Sequence, residues 1–538
     1  MLLVGFKPGH DGSVTAVKDR KLLYSLEGEK DSFPRHSFQT PSNLLDMAEL
    51  LGELPDVVAL GGWDKHYSGL GSPHIATGYS GTALREQRTS SFFGKPVTFY
   101  SSSHERSHLL MSVGMAPRDD AQERAILIWE GAIGAFHLLD DRFEVKDRVK
   151  VMELPGFRYS FLYGLADPTF PGAPLWPRDE DAGKLMALAA FADAGDADEA
   201  ITSTVDRIME APTVVPAPKA DFRDTRIYNA GVEAQETKIA AALLTKRIFD
   251  LFADAAQERL PSGIPLHISG GCGLNCDWNR QWRDLGHFSS VFVPPCTNDA
   301  GSALGTVIDA LAAFTGDPYI DWSVYCGLEF EWDTEPDPSV WQRRTLDLGQ
   351  VSGALARGEI VAWVQGRWEM GPRALGNRSL LAEPFDPRTR DRLNEIKQRE
   401  GFRPIAPVCR VEDLAKAFDT TFEDPYMLYF RRVTSPDLGA VTHVDGSARC
   451  QTVTPHDNGP LHELLGAFAA EAGIGVLCNT SLNFKGLGFI NRMTDLDKYC
   501  ESRGVEHMVV GDVWFERKRT AAEPAEGAAA PATGRWSG

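Results

Sequence analysis

The apolar positions at the start of the chain fall into short runs separated by glycine turns. Leu2–Phe6 reads as a strand, Lys7–Ser13 (KPGHDGS) as a tight turn, and Ser13–Val17 and Lys21–Leu26 as further strands. Asn43–Leu54 has amphipathic helical spacing, and Asp56–Leu60 and Val97–Tyr100 are short apolar strands. Ser101–Ala116 begins with serines suited to cap a helix. Ala125–Trp129 and Gly134–Leu138 form a hairpin around Glu130-Gly131. Gly156–Arg178, rich in glycine, proline and aromatics, reads as a structured loop lining a pocket. Asp181–Ala192, Ala197–Met209 and Gly231–Leu260 are expected helices, with Pro212–Asp221 a connector. Leu266–Asn279 is a strand running into Gly270-Gly271 and a helix. Val291–Val293 then leads through a turn holding Asp299 into the helix Ser302–Phe314.

A second set of elements follows the acidic, proline-containing stretch Glu329–Ser339. It comprises a helix at Leu348–Ala356, a strand at Ile360–Val364, a helix at Arg388–Lys397 and a strand at Ala448–Val453. A helix at Leu461–Ala472 and the strand of Gly475–Phe484 follow. That strand empties into a polar turn with Asn479, Thr480, Ser481 and Asn483, which can donate several hydrogen bonds or cap the next segment. The order predicts an α/β protein. Residues 1–330 form an actin-like domain, 331–340 a linker, 341–518 a second α/β domain and 519–538 an Ala/Gly/Pro/Glu-rich disordered tail.

Composition narrows the classes. The net charge of -20, with 43% hydrophobic and 24% charged residues, suits a soluble enzyme and excludes a broad nucleic-acid or membrane-surface binder. No apolar run approaches the roughly 20 residues of a spanning helix, and the N-terminus lacks a signal-peptide pattern. The eight cysteines lie scattered in apolar or glycine-rich context, which predicts a reducing cytoplasm.

Against this acidic background Trp363–Arg403 stands out. From Gln365 onward it holds nine basic residues and six acids, with Arg367, Arg373 and Arg378 beside Gly366, Gly371 and Gly376. Arginine forks on a glycine-broken loop suit a phosphorylated ligand, whereas Arg388–Arg392 equally fits a salt-bridged surface helix. His104 and His108, four apart, share one helix face and suit a metal ion. They also complete H-E-x-x-H, which allows a zinc protease with Glu105 as base and Glu123 as the third ligand, or simply two surface histidines. The turns at His10, Glu130-Gly131 and Gly270-Gly271 face phosphates if the fold is actin-like, and otherwise only connect strands or pack a helix.

Several strings decide between these readings. They are GHDGS (Gly9–Ser13), SHERSH (Ser103–His108), SGGCGLNC (Ser269–Cys276) and NDAGSALG (Asn298–Gly305). QGRWEMGPRALGNRSLLAEP, KQREGFRPIAP, ARCQTV and NTSLNFKG follow in the second half. In that order they resemble the O-carbamoyltransferase family of antibiotic biosynthesis and nodulation factors, the NodU/CmcH type. The opening GFKPGHDGS and the chain length are most similar to its cephem branch.

The resemblance implies a TsaD/Kae-like N-terminal domain and a YrdC-like C-terminal domain. Carbamoyl phosphate and ATP, with magnesium, would form carbamoyladenylate at Arg367, Arg373, Lys397, Arg403, Arg449, Asn479 and Ser481. The carbamoyl group would then pass to a hydroxyl of a natural product, foremost a 3-hydroxymethylcephem. His104, His108 and Asp299 match a site for iron, manganese or zinc. His10 is placed to act as the base on the acceptor hydroxyl or to orient the carbamoyl group, and Arg35 falls where the family has a lysine. Glu130, Gly131, Gly183, Lys184, Gly270, Gly271 and Asn275 fall on the nucleotide side. Two departures stand there: Glu130 replaces the usual Asp, and Ala182 replaces the Glu of E-G-K. Nucleic-acid and membrane partners are not expected; a homodimer is allowed. A tRNA-modifying TsaD/YrdC relative is the remaining alternative, against which the missing basic stripe counts.

Overall fold

The computed structural model describes residues 1–63, 77–83, 85–171 and 176–518. The expected tail 519–538 and part of the Gly156–Arg178 stretch lie outside them.

The first sheet contains β1 (Leu2–Lys7), β2 (Ser13–Lys18), β3 (Lys21–Glu27), β4 (Val57–Gly61), β5 (Arg85–Phe92) and β6 (Lys95–Ser102), in the order β3-β2-β1-β4-β6-β5. The second contains β7 (Glu123–Trp129), β8 (Ile133–Asp140), β9 (Val145–Glu153), β10 (Leu266–Ser269) and β11 (Val291–Phe292), in the order β11-β10-β7-β8-β9. Setting β5 aside, the two sheets share one plan. Three antiparallel strands in sequence are followed by two strands added parallel to the first. The 1–315 region is therefore a structural duplication that no sequence repeat announces.

Each sheet sends its last parallel strand into a helix, His104–Met115 after β6 and Ser302–Thr315 after β11. The two helices pack backbone to backbone: a Cβ on Gly305 would stand 1.9 Å from the Ser107 carbonyl oxygen. Ser107 Oγ and Thr306 Oγ1 are 2.7 Å apart across this contact. Every residue of His104–Met115 is buried, so the helix carries no amphipathic stripe. The outer helices enclose an aromatic core, where Trp129 stacks on Trp278 with centroids 4.3 Å apart.

Residues 341–517 form an eight-stranded mixed sheet. Its outer strands are Trp341–Thr345 and Gln451–Val453. The stretch 331–340 does not hold two independent bodies apart. Leu2, Val4, Trp368, Ala374 and Phe489 share one apolar cluster, and Lys30 donates to the Gly371 carbonyl at 2.7 Å. Arg492 pairs with Asp31. The Gly156–Arg178 loop reading is corrected: Pro155–Ala166 is a helix. Ten of its twelve residues are buried, which erased the helical period.

Candidate active site

His104 and His108 project from the first turns of their helix, which Ser103 caps by accepting from the Arg106 N–H. Asp299 comes from the turn after β11, and Glu130 from the turn between β7 and β8. Glu130 Oε2 lies 3.2 Å from His104 Nε2 and 3.5 Å from His108 Nε2. Asp299 Oδ1 is 3.3 Å from His108 Nε2 and 3.5 Å from His104 Nε2. One donor atom from each of the four residues falls within 4.8 Å of the others, and all four residues are buried. Ser269 Oγ sits 2.9 Å from His108 Nδ1, which leaves Nε2 facing the cluster. Tyr79 stacks on His104 at 4.4 Å and donates to Glu130 Oε1 at 2.8 Å. Burial pushes the His104 imidazole down, but Asp299 and Glu130 outweigh it and raise it to about 9. Two imidazoles and two carboxylates fit a divalent iron, manganese or zinc ion.

The Glu130 side chain, expected on the nucleotide side, reaches the histidines, and the extra methylene over Asp supplies length in that direction. The arrangement removes the protease reading. Glu105 turns away from the histidines and is held by His137 Nε2 at 2.9 Å, Arg148 Nε at 2.8 Å and the Gly81 N–H at 2.7 Å.

His10 lies at the mouth of this cluster. Its Nε2 is 3.8 Å from Asp299 Oδ2, and its Nδ1 is 2.8 Å from Asp11 Oδ2. Lys7, which donates to the His10 carbonyl, pairs with Asp299 Oδ2 at 3.1 Å and stands over the Trp63 ring at 4.1 Å.

A second, cationic cluster gathers Arg373, Lys397, Arg399, Arg403 and Arg449. Burial and then the neighbouring cations, Arg449 foremost, lower the Arg373 guanidinium to about 9. Burial followed by Arg399, Arg403 and Arg35 lowers Lys397. Arg373 Nε, Arg449 Nε and Asn479 Oδ1 are buried without a partner among the described residues. Like charges held together, with two guanidinium N–H donors unsatisfied, describe an anion pocket, and Asn479 Oδ1 adds an open acceptor there. Lys397 donates to the Ser481 carbonyl and to Asn483, and Asn479 donates to Gln451 Oε1 at 2.9 Å. The pocket is not confined to the second half of the chain: Arg373 Nη2 donates to the Leu274 carbonyl at 3.1 Å. Arg35 pairs with Glu29 at 3.6 Å, and its backbone N–H donates to the Gly486 carbonyl of the second half of the chain at 3.0 Å.

The sequence itself now places the protein. A Carbamoyltransferase N-terminus model matches residues 79–308, and a Carbamoyltransferase C-terminus model matches 352–517. The chain is 64% identical over 518 residues to the 3'-hydroxymethylcephem-O-carbamoyltransferase of Amycolatopsis lactamdurans, covering 96% of this chain and 99% of that one. It is 62% identical, with the same coverage, to the protein of that name from Streptomyces clavuligerus. Nodulation protein U of Sinorhizobium fredii is 32% identical, with 94% of this chain and 98% of that one covered.

The chain belongs to the carbamoyltransferase family.

Not every residue expected in the carbamoyltransferase sites lies free to act there. Arg367 is committed to the junction of the two halves. Its guanidinium donates to the carbonyls of Gly327, Leu23 and Cys326 at 2.6–2.7 Å and lies over Tyr24. Arg378, from the same basic loop, is buried and donates to the Gln365, Gly366 and Asn377 carbonyls and to Asn491. Both are spoken for by the fold. Lys184 pairs with Asp181 at 3.0 Å and approaches Glu400 at 3.9 Å, with Gly183 open beside it. Asn275 caps the helix Cys276–Asp284 through Oδ1, while its Nδ2 has no partner among the described residues. Gly270, with φ of 102°, allows the backbone to pass 2.5 Å from the Trp129 carbonyl at the position a Cβ would take. Gly271 is open, and Gly131 faces Phe157. Lys7, Asp11, His36 and Tyr79 were missed; only the structure brings them to the site.

Among the described residues no helix is long and apolar enough to cross a membrane. All eight cysteines are free.

Proposed function

We propose that this chain is an ATP-dependent O-carbamoyltransferase that works in two steps. Carbamoyl phosphate and ATP, with magnesium, form carbamoyladenylate at the cationic pocket, the carbamoyl group giving up its phosphate and the ATP α-phosphate losing pyrophosphate, and Arg373, Lys397, Arg403 and Arg449 neutralise the assembled phosphates. Asn479 and Ser481 supply neutral hydrogen bonds. The carbamoyl group is then transferred at the His10 site. His10 Nε2 takes the proton of the acceptor hydroxyl as the new O–C bond forms. The bond from the carbamoyl carbon to the adenylate phosphate oxygen breaks, and AMP leaves with that electron pair. His104, His108, Glu130 and Asp299 would hold a divalent metal, which supplies Lewis-acid stabilisation of negative charge.

The observation that carries this reading is the adjacency of two chemically distinct sites. The two meet at the turn Gly271–Leu274, whose Leu274 carbonyl accepts from Arg373 of the cationic pocket at 3.1 Å while its Cys272 Sγ lies 3.7 Å from the carbonyl of Glu130 in the imidazole–carboxylate cluster. The duplicated sheet plan supports an actin-like, TsaD/Kae-like N-terminal part over 1–330, and we take 341–518 as a YrdC-like domain. The relatives' name points to a 3-hydroxymethylcephem as acceptor. Free buried thiols fit a cytoplasmic setting. Enzyme incubated with ATP, carbamoyl phosphate and a panel of hydroxylated antibiotics is expected to add one carbamoyl mass to the hydroxymethylcephem. Mass gain only without ATP, or on no member of the panel, would overturn the assignment.

A further inference from the structure

Asp11 sits between two imidazoles. Its Oδ2 is 2.8 Å from His10 Nδ1, and its Oδ1 is 3.0 Å from His36 Nδ1, so each oxygen serves one ring. The carboxylate is nearly enclosed, with a side-chain exposure of 9%. The loops that carry these residues are tied together: Asp11 N–H donates to the His36 carbonyl, and Gly12 N–H to that of Ser37. The His36 N–H in turn donates to Glu29 Oε2 at 3.2 Å. Both Asp11 (φ 50°) and His36 (φ 60°) adopt the left-handed backbone that non-glycine residues avoid. Strain at both ends of one hydrogen-bonded link indicates that the surroundings hold this arrangement against local preference. The far nitrogen of His10 points the other way, 3.8 Å from Asp299 Oδ2, and Trp63 meets the His10 ring edge-on at 5.3 Å.

We propose that Asp11 and His36 are positioning residues for His10, a role that rests on the transfer reading above. An ionised Asp11 accepts the Nδ1–H of His10, which selects the tautomer whose Nε2 is free to take a proton. His36 occupies the second oxygen and stops the carboxylate from rotating away. Neither residue needs to touch the acceptor. Without the His36 donor, Asp11 keeps its charge but loses its fixed plane, and His10 samples orientations that miss the hydroxyl.

The test compares His36→Phe, which keeps a ring but removes the donor, with His36→Asn, which restores an N–H. His10→Ala and the wild type serve as references. Carbamoylated product is measured with acceptor and carbamoyl phosphate varied. His36→Phe is expected to lower kcat about 10- to 100-fold, a part of what a general base contributes, with the acceptor KM nearly unchanged. His36→Asn is expected to recover most of that loss. If His10→Ala is inactive but His36→Phe keeps wild-type kcat, or if Asn rescues nothing, the positioning role is overturned. If His10→Ala itself keeps wild-type kcat, the transfer reading fails first.

Discussion

Glu130 Oε2 stands 3.2 Å from His104 Nε2 while Glu130 Oε1 accepts the Tyr79 hydroxyl at 2.8 Å. One carboxylate thus bridges the metal-type cluster to a half-buried tyrosine that also stacks on the same histidine. Tyr79→Phe is expected to weaken manganese or zinc binding by about 10- to 100-fold, as loss of an outer partner does, and Glu130→Gln, which alters a ligand itself, to weaken it by more. Direct metal titration followed by calorimetry checks both. Wild-type affinity in Glu130→Gln would remove Glu130 from the ligand set.

Glu105 offers the contrasting case within the same H-E-x-x-H string. Burial pushes its carboxyl up, but His137, the Gly81 N–H and Arg148 outweigh it and bring it to about 2, from an ordinary 4.5. A depressed carboxyl stabilises the fold above its unfolded pKa, and that contribution is lost as pH falls through the folded value. Glu105→Gln is therefore expected to lower Tm near neutrality while leaving carbamoyl transfer largely intact. The Tm gap to the wild type should close between about pH 4.5 and 2. A variant that lost transfer at unchanged Tm would contradict a structural role.

The difference between these two acids was not legible in the chain, where each is simply an acid beside a motif. Which way a side chain turns depends on partners far off in sequence, such as His137 for Glu105. Elements with a clean apolar pattern were legible, and so was the pairing of His104 with His108 on one helix face. The edge strands β5 and β9 were not. Their sequences, REQRTSSF and VKDRVKVME, are largely exposed and carry no strong alternation. The His10–Asp11–His36 link spans loops 25 residues apart, and no local spacing announces it. Arg367 and Arg378 looked like phosphate ligands because a basic, glycine-broken loop has that composition whether its forks meet phosphates or carbonyls.

That ambiguity has a measurable resolution. Arg378 is fully buried and hydrogen-bonded to three carbonyls and Asn491. Arg378→Met leaves those acceptors unsatisfied, so a loss on the order of 3 kcal/mol in unfolding free energy is expected. Arg367→Ala should also lower stability, by loosening the junction at Gly327 and Cys326. Chemical denaturation checks both. Full stability combined with lost carbamoyl-phosphate affinity would return them to the ligand pocket.

The two sites should separate by mutation. His104→Ala is expected to abolish carbamoylation of the acceptor while ATP–pyrophosphate exchange driven by carbamoyl phosphate persists. Arg403→Ala should do the reverse, lowering exchange at least about 10-fold through loss of charge at the phosphates, with acceptor transfer falling only because its donor is missing. Arg403 suits this test because its ion pair with Glu400, at 3.8 Å, is long and about one-third exposed, so little folding stability depends on it. Isotope exchange and product formation, measured on the same preparations, give both readouts. If each variant loses both activities to the same extent, activation and transfer share one site and the two-step division fails.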